Sequence, residues 1–436
     1  MSGTDSVVTA AAVEPAALAP EGVRARSERI WNRDFVLLWQ GQLVSVLGDV
    51  VYSIALGFWI LARTGSTALM GTLMAAGTLP RVLVAPFAGV VVDRVNRKWL
   101  MAAMDAARGL LVIALAAALL LGVGEVWMVF VAAVLLSACG AFFFPAVGSS
   151  LPDIVPREGL VKANSAMAAV QTGASLVGNP VGGFLYAALG APVMFLFNGL
   201  SYIVSAGAIA LMRIPHAARA AADARFFAEL REGLRFIWQY RGVRHLLTLA
   251  ISGNFFASMG IVLILPLFER TAGLGPGPYG VLMASFAAGL ALGFLATSVA
   301  TIPYRRRFTL FFLGAPLTSV CAALMPWAPW LPLMCGLMFV GGAANAVVNS
   351  FISAALQTAV PQDVRGRVFS LMAFTAGLVP IAMALGGVLA EFIPLRPLIS
   401  AAFALTVPVY LFAAFSDPVR RLIGFDPAVD SLEVIR

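Results

Sequence analysis

The sequence predicts an all-α membrane protein with twelve transmembrane helices in two pseudo-symmetric six-helix bundles. Three observations favour this fold class: an apolar composition, twelve long apolar segments and one long basic loop halfway along the chain. Of the 436 residues, 61% are hydrophobic and only 11% are charged, and the mean hydropathy is +0.92. Soluble domains are about half apolar and about a quarter charged, so a soluble enzyme is excluded.

The apolar segments are each close to or longer than the roughly 20 residues that a helix needs to cross the hydrocarbon core. We number them as spans one to twelve and place them at residues 35–62, 68–92, 99–122, 126–150, 162–189, 192–212, 244–268, 278–302, 308–326, 329–358, 366–390 and 397–416. Residues 1–34 lack the basic-then-apolar order of a signal peptide, which predicts an N-terminal cytoplasmic tail.

The basic residues fall mainly on one side of the predicted spans. Most of the 29 Lys and Arg residues lie in the two tails and in the loops that follow spans two, four, six, eight and ten. Because cytoplasmic loops carry an excess of Lys and Arg, both termini are predicted to be cytoplasmic. The abundance of Arg and Ala is typical of a GC-rich bacterium, so we expect the chain in the lipid bilayer of a bacterial inner (plasma) membrane.

The longest loop, at residues 213–243, divides the chain into two halves. An N-terminal bundle is predicted at 35–212 and a C-terminal bundle at 244–416, followed by a cytoplasmic tail at 417–436. A cleft between two such halves is a natural place for a substrate.

Two patterns in and around this loop refine the prediction. Phe226, Leu230 and Leu234 recur at helical spacing among charged residues, which predicts an amphipathic helix on the inner membrane face. A solvated linker is the alternative. The segments that begin at Ile154 and Ala359 resemble each other, which indicates that the two halves arose by duplication.

Several classes of function lack the residues that they need. Cys139, Cys321 and Cys335 fall in apolar segments, where a thiol acts as a small hydrophobe and no spacing suits a metal. His216 and His245 lie in or beside the central loop, so neither a histidine catalytic centre nor a metal site is predicted. No phosphate-binding loop occurs, and the net charge of +8 reflects membrane topology and not nucleic acid binding. We expect a monomer without a cofactor.

Residues Gly89 to Lys98, between spans two and three, have the sequence GVVVDRVNRK. This stretch resembles the cytoplasmic loop motif of the major facilitator superfamily, in which Gly is followed by Asp-Arg and by further basic residues. The stretches GQLVSVLGD, LPDIVPREGLVKANS and VPQDVRGRVFSL together resemble the bacterial exporter branch that includes the enterobactin exporter and macrolide efflux proteins. The resemblance covers about residues 31 to 418 and implies the major facilitator fold and a transport function.

In that superfamily the loop motif forms a cytoplasmic gate. The resemblance assigns this role to Gly89, Asp93, Arg94, Arg97 and Lys98. Asp93 is expected to pair with one of the neighbouring cations or with charges across the bundle, and Gly89 is expected to let helices approach closely. The alternative is an anchor that only fixes orientation.

Span five contains GASLVGNPVGG, which resembles the antiporter motif of exporters except that Asn179 occupies the usual proline position. Gly178, Pro180, Gly182 and Gly183 predict a bent helix that packs closely against its neighbours. Asn179 needs a polar partner or water in such a helix.

Four charged residues lie inside the predicted spans: Asp49, Arg81, Asp105 and Arg108. A charge near the bilayer centre costs at least about 2.5 kcal/mol, so each needs a reason. Asp49 and Arg81 have nearly the same depth in consecutive spans, which predicts an ion pair in which Asp49 either exchanges protons or stays ionised as a structural group. Asp105 and Arg108 are three residues apart on one helix face near the inner end, where we expect them to act in gating.

Amide side chains offer hydrogen bonds along a mostly apolar cavity, as small-molecule sites require. The candidates for the substrate cavity are Gln42, Gln171, Asn179, Asn254, Asn345, Asn349 and Gln357. Asn345 and Asn349 are four residues apart and are expected to share a face of span ten. For each amide the alternative is a hydrogen bond that joins two helices. Phe142, Phe143 and Phe144 either form an aromatic wall or face lipid.

The predicted function is export of a bulky, mostly apolar small molecule of drug, macrolide or siderophore type, with protons as the coupling ion. Export and proton antiport follow mainly from the resemblance, whereas one carboxylate among amides suits such a ligand better than a sugar or an amino acid. The alternatives are uptake or facilitated diffusion of a metabolite, and a membrane sensor with the same fold. No nucleophile, base and orienting group can be assembled, so an enzyme is not predicted.

Overall fold

The computed structural model describes residues 30–214, 235, 238, 241–271, 273–300, 302–359 and 376–423. These residues are almost entirely helical, and no strand occurs among them. The described part therefore has the all-α architecture that the apolar segments predict.

The first bundle contains spans one to six. Span one is Arg33–Thr64, span two is Thr67–Ala76 continued by Leu79–Arg94, span three is Arg97–Leu120 and span four is Val126–Ile154. Spans five and six form one helical stretch, Leu160–Ala210, in which Gly190 has φ 73°. Because glycine adopts positive φ without a steric penalty, the chain reverses there, as the predicted boundary between the two spans requires.

The second bundle contains spans seven to twelve. Span seven is Arg241–Val262 continued by Ile264–Arg270, span eight is Pro276–Val299, span nine is Tyr304–Leu324 and span ten is Leu331–Ala359. Span eleven is described at Val379–Leu389, span twelve is Leu395–Ala404 continued by Thr406–Phe415, and a final helix is Asp417–Ile423.

Ten helices of the described part are long and apolar enough to cross a membrane. One of them, at residues 157–210, contains both span five and span six, and the described part of span eleven is a shorter apolar helix. The fold class is therefore confirmed as a multi-pass, all-α membrane protein.

The two ends of the molecule differ in their loops. We call the end with residues 30 and 423 and the loops near residues 95, 155 and 301 the basic end, and the end with the loops near residues 65, 122, 273, 328 and 391 the opposite end. At the basic end, Asn32 Nδ2 donates to the carbonyl oxygen of Ile154 at 2.6 Å, and the Arg213 amide donates to Asp34 Oδ1 at 3.0 Å. These bonds hold the ends of spans one, four and six together.

The two bundles meet through backbone atoms near the opposite end. A Cβ added at Gly71 in span two would lie 2.5 Å from the carbonyl oxygen of Met383 and 2.9 Å from the Cα of Gly387, both in span eleven. A Cβ added at Gly280 in span eight would lie 3.0 Å from the Cα of Pro180 in span five. Small residues permit such close approach of helices in membranes. The structure is therefore closed at the opposite end.

Some predictions concern segments outside the described residues. They are the amphipathic helix of the central loop, the second copy of the duplicated segment at 360–375, and most of the tails at 1–29 and 424–436. These features and the domain boundaries stay predictions.

Candidate functional site

Asp49 lies in span one and faces span six. The Tyr202 hydroxyl donates to Asp49 Oδ1, and the Asn198 side chain lies beside the same carboxylate. Span six comes this close because Gly48 has no side chain: a Cβ there would lie 2.6 Å from Asn198 Oδ1. Asp49 is partly exposed. A carboxylate that is hydrogen-bonded and also accessible can exchange a proton or a cation.

Asp105 and Arg108 form an ion pair within span three, with exposed fractions of 0% and 3%. The shared helix face predicted from their spacing is confirmed by this pair. The Arg108 guanidinium carbon also lies 4.4 Å from the ring centroid of Phe143 and 4.6 Å from that of Tyr202. Aromatic faces attract a desolvated cation, so Arg108 is held by a carboxylate and two rings.

Tyr202 connects the two charged groups. Its hydroxyl contacts Asp49, and the face of its ring contacts Arg108. Asp49, Arg108 and Asp105 therefore belong to one assembly that joins spans one, three and six. Phe143, one of the three consecutive phenylalanines, is buried in this assembly, whereas Phe144 is 40% exposed.

The predicted ion pair between Asp49 and Arg81 is wrong. Arg81 is exposed, and its guanidinium carbon lies 5.5 Å from the ring centroid of Phe144 in span four. Its backbone amide donates to Ser137 Oγ in the same span at 3.1 Å. Equal depth along two helices does not determine the direction of a side chain around each axis, and Arg81 is directed toward span four.

Buried polar atoms without a hydrogen-bond partner are concentrated beside this assembly. In the described residues they are Gln42 Nε2, Tyr52 Oη, Asp105 Oδ2, Arg108 Nε, Asn198 Nδ2 and Ser205 Oγ. All six lie in spans one, three and six. An unsatisfied buried polar group costs about 1–3 kcal/mol, so the first bundle tolerates a polar interior that apolar packing would avoid.

Tyr202, Asn198 and Ser205 were not predicted from the sequence. Each is neutral and common in transmembrane helices, so none stands out alone. Their spacing of three or four residues along span six, together with Ser201, is the pattern that indicates one polar helix face.

The predicted gate motif is only partly described. Arg97 is 9% exposed and pairs with Asp153 Oδ2 at 3.1 Å, at the end of span four. Lys98 Nζ lies 4.9 Å from the ring of Trp99, and Arg94 is exposed. The side chain of Asp93 lies outside the described part, so its expected pairing stays a prediction.

No described atom lies close to Gly89, so the close helix approach expected there stays a prediction. A Cβ added at Gly89 meets none of the described atoms within 4 Å. Close approaches lie in span five, as predicted there. A Cβ at Gly182 would lie 3.3 Å from the Cα of Val51 in span one, and one at Gly183 would lie 3.3 Å from the Cα of Gly277 in span eight.

The other span-five residues follow the same pattern. A Cβ at Gly178 would lie 3.0 Å from side-chain atoms of Leu47 and Val50. The helix continues through Asn179 and Pro180, and the predicted bend stays a prediction.

The predicted cavity amides divide into separate groups. Gln42 is 4% exposed, and its Nε2 has no hydrogen-bond partner among the described residues. Asn349 Nδ2 donates to Asn345 Oδ1 at 2.9 Å, which confirms that these two share a face of span ten. Gln171 and Asn254 are exposed, and Asn179 is partly exposed. The side chain of Gln357 lies outside the described residues.

No group of three or more His, Cys, Asp or Glu side chains that could hold a metal ion occurs in the described residues.

Known transport proteins are similar to this chain over most of its length. Macrolide efflux protein A of Streptococcus pyogenes is 28% identical over 374 residues, which cover 82% of this chain and 89% of that protein. The multidrug efflux pump Tap of Mycolicibacterium fortuitum is 29% identical over 409 residues, which cover 90% of this chain and 97% of the pump.

Solved structures support the fold. The nucleoside transporter NupG matches with a TM-score of 0.67 at 11% identity, over 88% of this chain and 98% of that one. A bacterial homologue of the iron transporter ferroportin, in an inward-facing state, matches with a TM-score of 0.66 at 16% identity, over 88% and 99%. Residues 38–379 match the Major Facilitator Superfamily. The chain therefore belongs to the Major Facilitator Superfamily and is a membrane transporter of small molecules.

Proposed function

We propose that the chain is a secondary active exporter of a bulky, mostly apolar small molecule of drug, macrolide or siderophore type. Protons exchange for this substrate as the two bundles alternate access to it. Both termini lie in the cytoplasm, the protein resides in a bacterial inner membrane, and it acts as a monomer. Two relatives named as efflux proteins support the direction of transport.

The observation that carries the proposal is the environment of Asp49. A carboxylate within a transmembrane helix is costly, so its presence there favours a function. Asp49 accepts a hydrogen bond from the neutral Tyr202 hydroxyl and is only partly buried, while Arg108 is already paired with Asp105. Asp49 is thus the carboxylate that is free to gain a proton when substrate leaves.

The second bundle contributes neutral hydrogen-bonding groups to the substrate. Asn345 and Asn349 form an adjacent amide pair on span ten, and Asn349 is exposed. A few polar groups among apolar side chains suit a large ligand with scattered oxygen or nitrogen atoms. Asp105 and Arg108 set the balance between the two access states without contacting substrate.

The test compares cells that express the wild type, Asp49→Asn or the control Asp417→Asn, at matched protein level in the membrane. Untargeted mass spectrometry of cells and spent medium identifies compounds that each protein moves. We expect compounds to leave cells with the wild type and with Asp417→Asn, and to stay inside with Asp49→Asn. Asp417 is a suitable control because it is exposed at the basic end.

Other outcomes would support the alternatives. Equal export by Asp49→Asn would leave export in place and make Asp49 structural. Accumulation inside cells would favour uptake or facilitated diffusion, and no moved compound would favour a sensor. An uncoupler that abolishes export by the wild type would support proton coupling.

A further inference from the structure

Two charged side chains of the second bundle form hydrogen bonds with the first bundle at the opposite end. Their partners lie in the short connection between spans one and two and in the first residues of span two. Arg270, at the end of span seven, donates from Nη2 to the carbonyl oxygen of Gly65 at 2.8 Å. Glu391, which follows span eleven, accepts through Oε1 from Ser66 Oγ at 2.8 Å and from the Ala68 amide at 3.0 Å. The same oxygen accepts from Thr67 Oγ1 at 3.1 Å.

Each charge lies at the helix end that favours its sign. Span one ends at Thr64, and Gly65 follows in the left-handed conformation with φ 66°. Its last carbonyl groups carry partial negative charge, which the Arg270 guanidinium complements. The helix Thr67–Ala76 begins three residues after Thr64. Its first amides carry partial positive charge, which the Glu391 carboxylate complements. The second bundle thus caps two helix ends of the first.

These caps lie beside the places where the bundles touch most closely. Gly71 and Gly387 are in backbone contact one turn further along spans two and eleven, and a Cβ at Gly57 in span one would lie 3.7 Å from Leu265 Cγ in span seven. Opening at the opposite end separates these elements. It therefore removes both caps at once and leaves two helix ends without their charged partners.

We propose that Arg270 and Glu391 form a charged double cap that holds the opposite end closed and sets the fraction of molecules in which it opens. This proposal rests on the alternating access of the proposed function, but not on the substrate, the direction of transport or Asp49. The double cap acts on the closed state alone, because its partners belong to different bundles.

The double cap is insensitive to pH over the neutral range. Hydrogen bonds from the Ala68 amide and from the Ser66 and Thr67 hydroxyls hold the pKa of Glu391 below its usual value. Since the folded pKa is lowered, the contact is fully present above the usual pKa and is lost only as pH falls through the lowered one. The other charged residues of this end among the described residues are Arg63, Glu125, Glu269 and Arg396, besides Arg270 itself.

The test measures distances between spin labels at the opposite end of purified protein in nanodiscs. Labels at Val123→Cys, in the first bundle, and Trp330→Cys, in the second, report its opening, and both positions are exposed. Cys139, Cys321 and Cys335 are replaced by Ala in this background. The variants are Glu391→Gln, Arg270→Gln and the double variant, and the controls are Glu125→Gln and Arg396→Gln, which neutralise other charges of the same end.

We expect each cap variant to raise the ratio of long to short label distances by about threefold to tenfold, and the double variant to raise it further. The controls should change the ratio by less than about twofold. The difference between the wild type and Glu391→Gln should be constant between pH 8 and pH 6.

An unchanged ratio in the double variant, or an equal rise in the controls, would overturn the proposal. A thermal unfolding curve checks that each variant is folded. Because the label distances need no substrate, a double cap that behaves as expected in a protein that exports nothing would leave this inference intact and remove the proposed function.

Discussion

The two bundles differ in how they satisfy their buried polar groups. In the first, Asp105 and Arg108 are almost fully buried and Tyr202 connects them with Asp49. In the described part of the second, the bonds that join spans connect neutral groups: Ser319 Oγ bonds to Thr406 Oγ1, and Thr297 Oγ1 lies 3.0 Å from Ser350 Oγ. Among the described residues, the six buried atoms that lack a hydrogen-bond partner are all in the first bundle.

This difference teaches that two halves of similar architecture carry different chemistry. A buried ion pair costs more to desolvate than a pair of hydroxyls, and removal of one partner leaves an uncompensated charge. The first bundle is therefore sensitive to single changes in charge. The second bundle is expected to tolerate single substitutions better, because its hydroxyl and amide contacts each contribute little to the free energy of unfolding.

The difference in stability between the bundles is expected to be largest at the buried ion pair of Asp105 and Arg108. Arg108→Ala should lower the free energy of unfolding by about 3–5 kcal/mol, because Asp105 then lies buried without its cation. Reversible unfolding in mixed micelles measures this loss. The exposed Arg81 provides the matched control, and Arg81→Ala should cost at most about 1 kcal/mol. The double variant Asp105→Asn with Arg108→Gln should recover much of the loss. Equal stability of Arg108→Ala and wild type would contradict the contrast.

Two tyrosines of the first bundle allow a comparison, because one hydroxyl has a hydrogen-bond partner and the other has none among the described residues. Tyr202→Phe removes the donor to Asp49 and should cost about 1.5–3 kcal/mol, since the acceptor is a carboxylate. Tyr52→Phe removes a buried hydroxyl that has no partner and should be neutral or stabilising. The same unfolding measurement distinguishes them. A cost for Tyr52→Phe as large as that for Tyr202→Phe would mean that the two hydroxyls are equivalent.

The smallest effect is expected in the second bundle. Thr406→Val removes a buried hydroxyl that bonds to Ser319 and to the Phe403 carbonyl, and it should cost about 0.5–1.5 kcal/mol because all partners are neutral. Thr248→Val is the control, because the Thr248 hydroxyl is exposed and bonds only within its own helix. A loss for Thr406→Val that matches the loss for Arg108→Ala would remove the distinction between the bundles.

The sequence predicted the fold well because the thickness of a bilayer determines the length of an apolar helix. The structure places the described spans within a few residues of the expected positions, and even the reversal at Gly190 falls at a predicted boundary. Side-chain direction was less predictable. Depth alone suggested a pair between Asp49 and Arg81, but span two directs Arg81 toward Phe144.

The contacts of glycine residues were also not predictable from the sequence. Nothing in the sequence distinguishes Gly89 from Gly71. A Cβ at Gly71 would nevertheless meet the backbone of span eleven, while one at Gly89 meets no described atom. Which glycine permits close approach depends on how the bundles are placed, and that is a tertiary property. The partners of Asp49 were missed for a related reason, because neutral side chains such as Tyr202 gain their importance only from what they touch.

The backbone contact of Gly71 with Gly387 makes the closed end depend on the absence of atoms. Neither glycine has a side chain, and a Cβ added to either one would lie 2.9 Å from the Cα of the other. Spans two and eleven therefore leave no room for one added methyl group at this point, and an alanine at either position would separate the bundles there.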